Sequence, residues 1–252
     1  MTKQFKDRFS NQASEYRLYR PLYPEALFIH LVSLAPARCA AWDCATGNGQ
    51  SAACLAKYFK QVHATDASAE QIKHAIQRHN IHYAVSPAHK TGLPDCSIDL
   101  ITVAQAIHWF DNEPFYHEVR RVLKTNGVIA AWAYHLPVID RETDRIIHRL
   151  YSDILNQFWE KEIAHIQSGY RELYFPFREI SSPAFTITST WTLHQLIGHL
   201  QTWSALGSYR KTNGKNPVEI IIPELLDVWK DPLSVKKVEW PIILKTGTIT
   251  AS

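Results

Sequence analysis

Two glycines and two acidic residues stand at the ends of neighbouring apolar segments in the first part of this 252-residue chain. Asp43 precedes the turn Ala45-Thr46-Gly47-Asn48-Gly49, and Asp66 ends the next apolar segment. Glycine allows backbone angles and a close approach that a side chain would block. The helix predicted after the turn favours an anionic group at its N-terminus, and a terminal acidic residue suits a ribose diol. These residues predict a site for a nucleoside that carries an anionic tail.

The glycine turn alone leaves a second interpretation open. Residues 47–52 also fit the dinucleotide fingerprint GxGxxA, with Asp66 at a fitting distance, so an NAD(P)-dependent oxidoreductase is an alternative. No Tyr-x-x-x-Lys motif occurs, which removes the commonest chemistry of short-chain dehydrogenases. The sequence also contains neither a GxSxG nucleophile elbow nor an HExxH metal helix.

Alternating strands and helices must position these turns. The spacing of apolar residues predicts strands at 40–44, 61–66, 81–85, 97–103 and 128–133, with helices at 50–59, 69–78 and 113–123. Ser68 is the candidate N-cap of the second of these helices. Such alternation implies right-handed crossovers and an open parallel sheet. Ligands of these sheets bind at the carboxyl ends of the strands. The turns after the first, second and fourth strands are therefore expected to form the site.

The alternation stops after Tyr134, and the second half of the chain carries a different pattern. We expect one long, interrupted amphipathic helix over 140–165, a strand over 185–191, helices over 192–203 and 217–229, and a final strand over 238–248. The segment between the fifth and the final strand is a candidate lid over the site. Five of the eight tryptophans fall in this half.

Composition excludes several classes of function. A formal net charge of +3 without a basic stripe argues against nucleic-acid binding, and no apolar run approaches the roughly 20 residues of a membrane span. The polar first ten residues do not resemble a signal peptide, so a cytoplasmic protein is expected. The four cysteines lack CxxC spacing. Two pairs of histidines, His74/His79 and His194/His199, are five residues apart and not the three or four that share a helix face, so no metal site is predicted. The sequence does not indicate an oligomeric state.

Several motifs together resemble a known family, the class I S-adenosylmethionine-dependent methyltransferases of the type 11 group, near trans-aconitate methyltransferase-like proteins. Asp43 directly before the glycine turn is typical of this family, and the segment 105–110 (QAIHWF) is the most specific match. The matching segments follow the family's order at 16–24, 43–49, 66–68, 88–94, 99–111, 120–124 and 126–127.

The resemblance implies a Rossmann-like α/β fold with a seven-stranded, mostly parallel sheet, an antiparallel last strand, helices on both faces and a helical cap insertion. It implies three regions: an N-terminal arm and helix over the site (1–36), an S-adenosylmethionine-binding core (37–135), and a cap insertion with C-terminal strands that complete the sheet (136–252). It also implies that Asp43, Gly47 and Gly49 line the methionine part of the cofactor, with Asp66 on the ribose. The further cofactor contacts implied are Ala67 and Ala88 at the adenine, Gln105 at the methionine moiety, and Tyr16, Arg20 and Ala45.

Ala45 and His89 depart from the family pattern. Many members have glycine at the position of Ala45, and alanine is tolerable there if its backbone angle is ordinary. An acidic residue is common at the position of His89, which puts in doubt a polar contact from that side chain to the adenine.

The predicted reaction is methyl transfer from S-adenosylmethionine to a small-molecule acceptor, with S-adenosylhomocysteine as the product. His108 is the candidate catalytic residue, either as a general base or as a hydrogen-bonding wall residue. Arg20 is a candidate partner for a carboxylate of the cofactor or of an acid substrate. Trp109 and Trp203 are candidate substrate contacts, and an organic acid or an aromatic or lipid-soluble compound would suit as acceptor. A non-catalytic S-adenosylmethionine-binding protein is the other alternative.

Overall fold

A mixed, mostly parallel sheet forms the centre of the molecule in the computed structural model, which describes residues 19–249. Its strands are β1 (Ala40–Cys44), β2 (Gln61–Asp66), β3 (Ile81–Val85), β4 (Ile98–Ala104), β5 (Leu123–Tyr134), β6 (Arg178–Ile180), β7 (Phe185–Trp191) and β8 (Lys236–Thr248). The spatial order is β3-β2-β1-β4-β5-β8-β6, and β7 also pairs with β8.

The sheet confirms the predicted Rossmann-like fold and changes one detail. Strands β1 to β5 pair in parallel, and β8 is antiparallel to β5. Eight strands are present in the described part of the chain instead of the expected seven, because two short strands share the outer edge of β8. Strand β7 pairs with the first part of β8 and β6 with its last three residues.

The central strands are apolar because helices cover both faces of the sheet. All five residues of β1 and six of the seven in β4 are buried. Asp99 is the fully buried charge in β4, and its carboxylate accepts hydrogen bonds from the amides of Cys39 and Ala40 and from Lys124 Nζ, each within 2.9 Å. This carboxylate therefore joins the start of β1 to β4. It helps to set the register of the two strands, and so the positions at which they end.

Two of the three helices predicted between these strands are shorter than their apolar patterns predict, and the third keeps its predicted length. The helices around the first five strands are α1 (Glu25–Leu34), α2 (Gln50–Leu55), α3 (Ala69–Lys73) and α4 (Asn112–Val122). Ser68 caps α3 as expected, accepting from the Gln71 amide. The helix ends early because the chain turns back and the Ile76 amide donates to Asn48 O at 3.0 Å.

The segment after β5 is a series of short helical pieces. The expected interruption of the 140–165 helix is present: α5 (Arg141–Arg149) continues into a π-helical turn at Leu150–Ile154, two short 3₁₀ turns and α6 (Ala164–Gln167). Helices α7 (Leu193–Gln201), α8 (Ala205–Asn213) and α9 (Ile222–Trp229) follow. A search of residues 19–249 finds no helix both long and apolar enough to cross a membrane.

Candidate functional site

The turn after β1 is built around the buried carboxyl group of Asp43. Thr46 Oγ1 donates to Asp43 Oδ2 at 2.5 Å, and Thr102 Oγ1 of β4 donates to Oδ1 at 2.7 Å. Burial raises the pKa of Asp43, while the hydrogen bonds from Thr46 and Thr102 act in the opposite direction. The carboxyl group thus ties the turn to the neighbouring strand, and its predicted place beside the methionine part of the cofactor stays a prediction.

Asp66 at the end of β2 joins two turns. Its Oδ2 accepts from the Gly47 amide and its Oδ1 from the Ser68 amide, both at 2.9 Å. The side chain is only half-buried, as is that of the neighbouring Ala67. The carboxylate predicted to bind a ribose is therefore held beside the glycine turn by backbone donors and still faces accessible space.

Three residues of the glycine turn have a positive φ. Gly47 has φ 55° and Gly49 has φ 82°, and a Cβ on Gly49 would collide with the ring of Tyr83. Ala45 has φ 53°, so the condition under which alanine would be tolerated here without strain, an ordinary backbone angle, is not met. The residue adopts a left-handed conformation that disfavours side chains, because the turn must reverse direction before Asp66 can bind the Gly47 amide.

Asn48 was missed by the sequence analysis. Its side chain is buried, and Nδ2 has no hydrogen-bond partner among the residues that the structure describes. A buried donor left without an acceptor costs about 1–3 kcal/mol, which makes such a donor unusual in a folded protein. An oxygen of a ligand bound at this turn would satisfy it. Its position between two glycines was the available signal.

The loop that carries Ala88 is hydrogen-bonded to α4. Glu118 Oε1 accepts from the Thr91 amide at 2.8 Å and from Thr91 Oγ1 at 2.5 Å, and both Glu118 oxygens accept from Arg121 at 2.8 Å. Burial would raise the pKa of Glu118, but the hydrogen bonds from Arg121 and Thr91 outweigh it and lower the pKa to about 2. Ala88 is half-buried beside this anchored loop, and the neighbouring His89 is exposed.

The segment after β4 places Gln105 and His108. Gln105 has φ 56°, and its Nε2 donates to Tyr134 O at 3.3 Å, which links the ends of β4 and β5. One 3₁₀ turn, Ile107–Trp109, follows and buries His108. His108 Nδ1 lies 3.1 Å from the hydroxyl oxygen of Tyr170.

A cavity of about 100 Å³ opens beside Gln105 and His108. It brings together residues as far apart in the chain as Arg20 and Ser204, and five predicted site residues are among them. These five are Arg20, Gln105, His108, Trp109 and Trp203. Residues that the sequence analysis missed complete the lining, notably Tyr134, His135, Tyr151, Trp159, Ile163 and His199.

Three aromatic side chains in the cavity, Tyr151, Trp159 and Trp203, pack against one another and are called here the aromatic wall. The ring centroids are 4.6 Å apart for Tyr151 and Trp159, and 5.6 Å apart for Trp159 and Trp203. Trp159 Nε1 donates to the Tyr151 carbonyl at 3.0 Å, which fixes the indole. Two of the five tryptophans in this half of the chain therefore meet in the cavity, and no local sequence pattern distinguishes them from the other three.

The two further histidines of the cavity are neutral over most of the pH range. Burial, with a smaller contribution from His148, lowers the pKa of His135 to about 4. Burial and the nearby Arg20 lower the pKa of His199 to about 3. The described residues that line the cavity include no aspartate or glutamate. The lining is thus aromatic, with Arg20 as its permanently charged group.

Arg20 connects the N-terminal segment to the site. Its Nη1 donates to Tyr134 Oη at 3.1 Å and its Nη2 to Thr202 O at 3.4 Å. The preceding residue reaches the same region, since Tyr19 O is 3.0 Å from His199 Nδ1. The predicted contact of Tyr16 lies outside the described residues.

Within residues 19–249, no group of three or more His, Cys, Asp or Glu side chains is arranged to hold a metal ion.

Comparisons with known proteins agree with this architecture. A family model described as a methyltransferase domain matches residues 42–131. A protein of Dictyostelium discoideum that bears the name of a methyltransferase is 32% identical over 234 residues, which cover 90% of this chain and 88% of that protein. A protein of Saccharomyces cerevisiae named as a probable S-adenosylmethionine-dependent methyltransferase is 24% identical over 91% of this chain and 92% of its own length.

A solved structure gives the same result for the fold. A protein from Anaeromyxobacter dehalogenans, described as a type II methyltransferase, is 42% identical, superposes with a TM-score of 0.87, and is matched over 93% of this chain and 100% of its own. These findings favour the methyltransferase interpretation of the glycine turn over the oxidoreductase one. The narrower resemblance to trans-aconitate methyltransferase-like proteins stays a prediction. The chain belongs to the class I S-adenosylmethionine-dependent methyltransferases.

Proposed function

We propose that this methyltransferase binds S-adenosylmethionine at the turns after β1, β2 and β4 and methylates a small molecule held in the aromatic cavity. The observation that carries the proposal is the continuity of the two regions. Gln105 and His108 directly follow β4, which also supplies the partner of Asp43, and both line the cavity. The methionine end of the cofactor and the acceptor would therefore meet at these two residues.

The turns suit S-adenosylmethionine in their chemistry. Asp66 offers a half-buried carboxylate for ribose hydroxyls, and Gly47 leaves room beside it because a Cβ there would meet nothing closer than 3.9 Å among the described residues. Asn48 Nδ2 is a buried donor that a cofactor oxygen would satisfy. We assign Ala67 and Ala88 to the adenine. Asp43, Ala45, Gly49 and Gln105 would hold the methionine part, with Tyr16 and Arg20 closing the site from the N-terminal segment.

The bound cofactor supplies a methyl carbon that its sulfonium has already activated. The protein must therefore mainly align the acceptor with that carbon and exclude water, and positioning alone can lower the barrier substantially. The aromatic wall excludes water, and Trp109 and Trp203 contact the acceptor in this proposal. The division of labour follows the expected regions: residues 37–135 hold the cofactor, and residues 136–252 select the acceptor.

The cavity lining restricts the acceptor. Arg20 is the permanently charged side chain among the described lining residues, and a guanidinium attracts an anion. Tryptophan and tyrosine rings favour a planar or apolar body. An organic acid carboxylate or an aromatic, lipid-soluble hydroxyl compound fits both features.

Calorimetric titration with S-adenosylmethionine tests the cofactor half of this proposal. We expect binding in the native protein, and a loss of about 2 kcal/mol of binding free energy in Asp66→Ala, which removes a charged hydrogen-bond acceptor. Glu70→Ala is the matched control, since Glu70 lies on α3 and pairs only with exposed His74 and Lys73 in the described residues. No binding by the native protein, or equal losses in both variants, would contradict the proposal.

Turnover tests the acceptor half. Formation of S-adenosylhomocysteine should increase when carboxylate or phenolic compounds are added, above the background of spontaneous cofactor breakdown. A protein that binds the cofactor but transfers its methyl group to no member of either class would instead be a cofactor-binding protein without this activity.

A further inference from the structure

A buried tyrosine hydroxyl contacts the candidate catalytic histidine. The side chain of Tyr170 is fully buried in the main apolar cluster, and its hydroxyl oxygen is 3.1 Å from His108 Nδ1. In the described part of the chain, this is the one hydrogen bond of the Tyr170 hydroxyl. Burial raises the pKa of Tyr170, so the hydroxyl keeps its proton.

The environment determines which atom donates. A neutral imidazole carries its proton on one nitrogen and accepts at the other. If His108 Nδ1 donated to the tyrosine oxygen, the proton of the Tyr170 hydroxyl would be buried without an acceptor in the described residues, at a cost of about 1–3 kcal/mol. If the Tyr170 hydroxyl donates to Nδ1, both groups are satisfied, and the histidine proton resides on Nε2.

The backbone around Tyr170 is held in an uncommon conformation that delivers this contact. Gly169 has φ 64° and Tyr170 has φ 59°, two consecutive left-handed residues directly after α6. The Tyr170 amide donates to His165 O at 2.8 Å and so closes the turn. A bulky residue with positive φ is a conformation that the surroundings must enforce, and such positions cluster at functional sites.

We propose that Tyr170 is a positioning residue that fixes the Nε2–H tautomer of His108, so that His108 acts as a hydrogen-bond donor in the methyl-transfer site and not as a general base. This inference rests on the proposed function for the role of His108, but the tautomer itself is a property of the protein alone. No proton leaves the acceptor through His108 in this arrangement. The acceptor atom must therefore carry no proton when it meets the methyl carbon, as in an ionised carboxylate or a phenolate.

Nitrogen NMR of the histidine rings in the cofactor-free protein tests the tautomer directly. The His108 signal is assigned by its loss in His108→Gln. We expect an unprotonated Nδ1 and a protonated Nε2 in the native protein, and a mixture of tautomers in Tyr170→Phe. Tyr116→Phe is the matched control, because the Tyr116 hydroxyl donates to the Tyr174 carbonyl instead. A protonated Nδ1 in the native protein would overturn the proposal even if Tyr170→Phe fails to fold.

Kinetics separate donor from base. Glutamine places an amide N–H near the position of Nε2, so His108→Gln should retain about tenfold more of kcat than His108→Leu, which corresponds to about 1.4 kcal/mol. Equal losses in the two variants would indicate a base and overturn the assignment. Tyr170→Phe should lower kcat while the affinity for S-adenosylmethionine stays the same, whereas a merely structural defect would lower both. Failure of the native protein to bind the cofactor would refute the proposed function and leave the NMR result intact.

Discussion

The N-terminal half (residues 37–135) and the C-terminal half (residues 136–249) build their parts of the site from different materials. In the first, carboxylates bind backbone amides and hydroxyls at the ends of strands, as the buried Asp43 and the half-buried Asp66 do. In the second, the aromatic wall presents rings that pack against one another. The first half fixes positions through directional hydrogen bonds, and the second shapes a volume through packing.

This contrast indicates which properties each half can change. A hydrogen-bonded turn tolerates few substitutions, because an unsatisfied buried partner costs about 1–3 kcal/mol. A packed aromatic surface can exchange one ring for another of similar volume at a lower cost. One methyltransferase core could therefore serve many acceptors by changes in the C-terminal half.

Asp43 is the position at which the difference should be largest. Asp43→Ala leaves the hydroxyls of Thr46 and Thr102 without their acceptor, and we expect the free energy of unfolding to fall by about 3 kcal/mol and cofactor binding to be lost. Asp43→Asn keeps one acceptor oxygen, so its free energy of unfolding should fall by less. Chemical denaturation measures both. A change below the level of a typical surface substitution in Asp43→Ala would break the distinction between the two halves.

Glu118 should give the next largest effect and a pH signature. Its pKa is lowered to about 2 in the folded protein, against 4.5 in a model compound. The stabilisation from this carboxylate is therefore present above pH 4.5 and is lost as the pH falls through about 2. Glu118→Gln should lower the free energy of unfolding by about 2 kcal/mol at neutral pH. It should also flatten the acid limb of the stability curve.

The exposed Glu113 on the same helix provides the control for this measurement. Glu113→Gln should leave the acid limb unchanged. Identical curves for both variants would show that the network of Glu118, Arg121 and Thr91 does not hold the loop of Ala88.

Trp159 separates the halves by function instead of stability. Trp159→Ala opens the aromatic wall, so we expect acceptor turnover to fall at least about tenfold, or 1.4 kcal/mol in transition-state binding, with the cofactor affinity unchanged. Trp159→Phe should retain part of the turnover that Trp159→Ala loses. Steady-state kinetics with calorimetry would show this. A parallel loss of cofactor affinity would mean that the two halves do not act separately.

Ala45 is the smallest and most local test. Its left-handed backbone disfavours a Cβ, while glycine loses more conformational freedom on folding, so Ala45→Gly should stabilise the protein by about 0.5 kcal/mol. A thermal melt with replicate accuracy can detect this. Destabilisation would show that packing of the alanine methyl group contributes more to stability than relief of the left-handed backbone conformation does.

The sequence predicted the N-terminal half well because its signals are local. The bounds of β1, β2 and β3 agree with the apolar segments, and Ser68 caps its helix as expected. The conformation of Ala45 was not predictable, since it depends on how Asp66 of the next strand binds the turn. The early end of α3 also has a distant cause, the bond between Ile76 and Asn48.

The C-terminal half was only partly predictable. Strand β7 has the expected bounds, because it alternates clearly along its length. The cavity, however, joins Arg20, Tyr134, Tyr151 and Trp203, and no local pattern connects residues so far apart. Tyr170 could not be identified at all, because its contact to His108 depends on a turn with two left-handed residues.

Strand β8 has a consequence for how the chain acquires its fold. It pairs with β5 on one side and with β6 and β7 on the other, so it is the last strand made among those described and yet lies inside the sheet. During synthesis, one edge of β5 lacks its partner strand until more than a hundred further residues have been added. Pairing between strands so far apart in the chain is slow. Until then the edge of β5 is exposed to association with other chains. The nascent protein is thus most vulnerable when its N-terminal half is already complete.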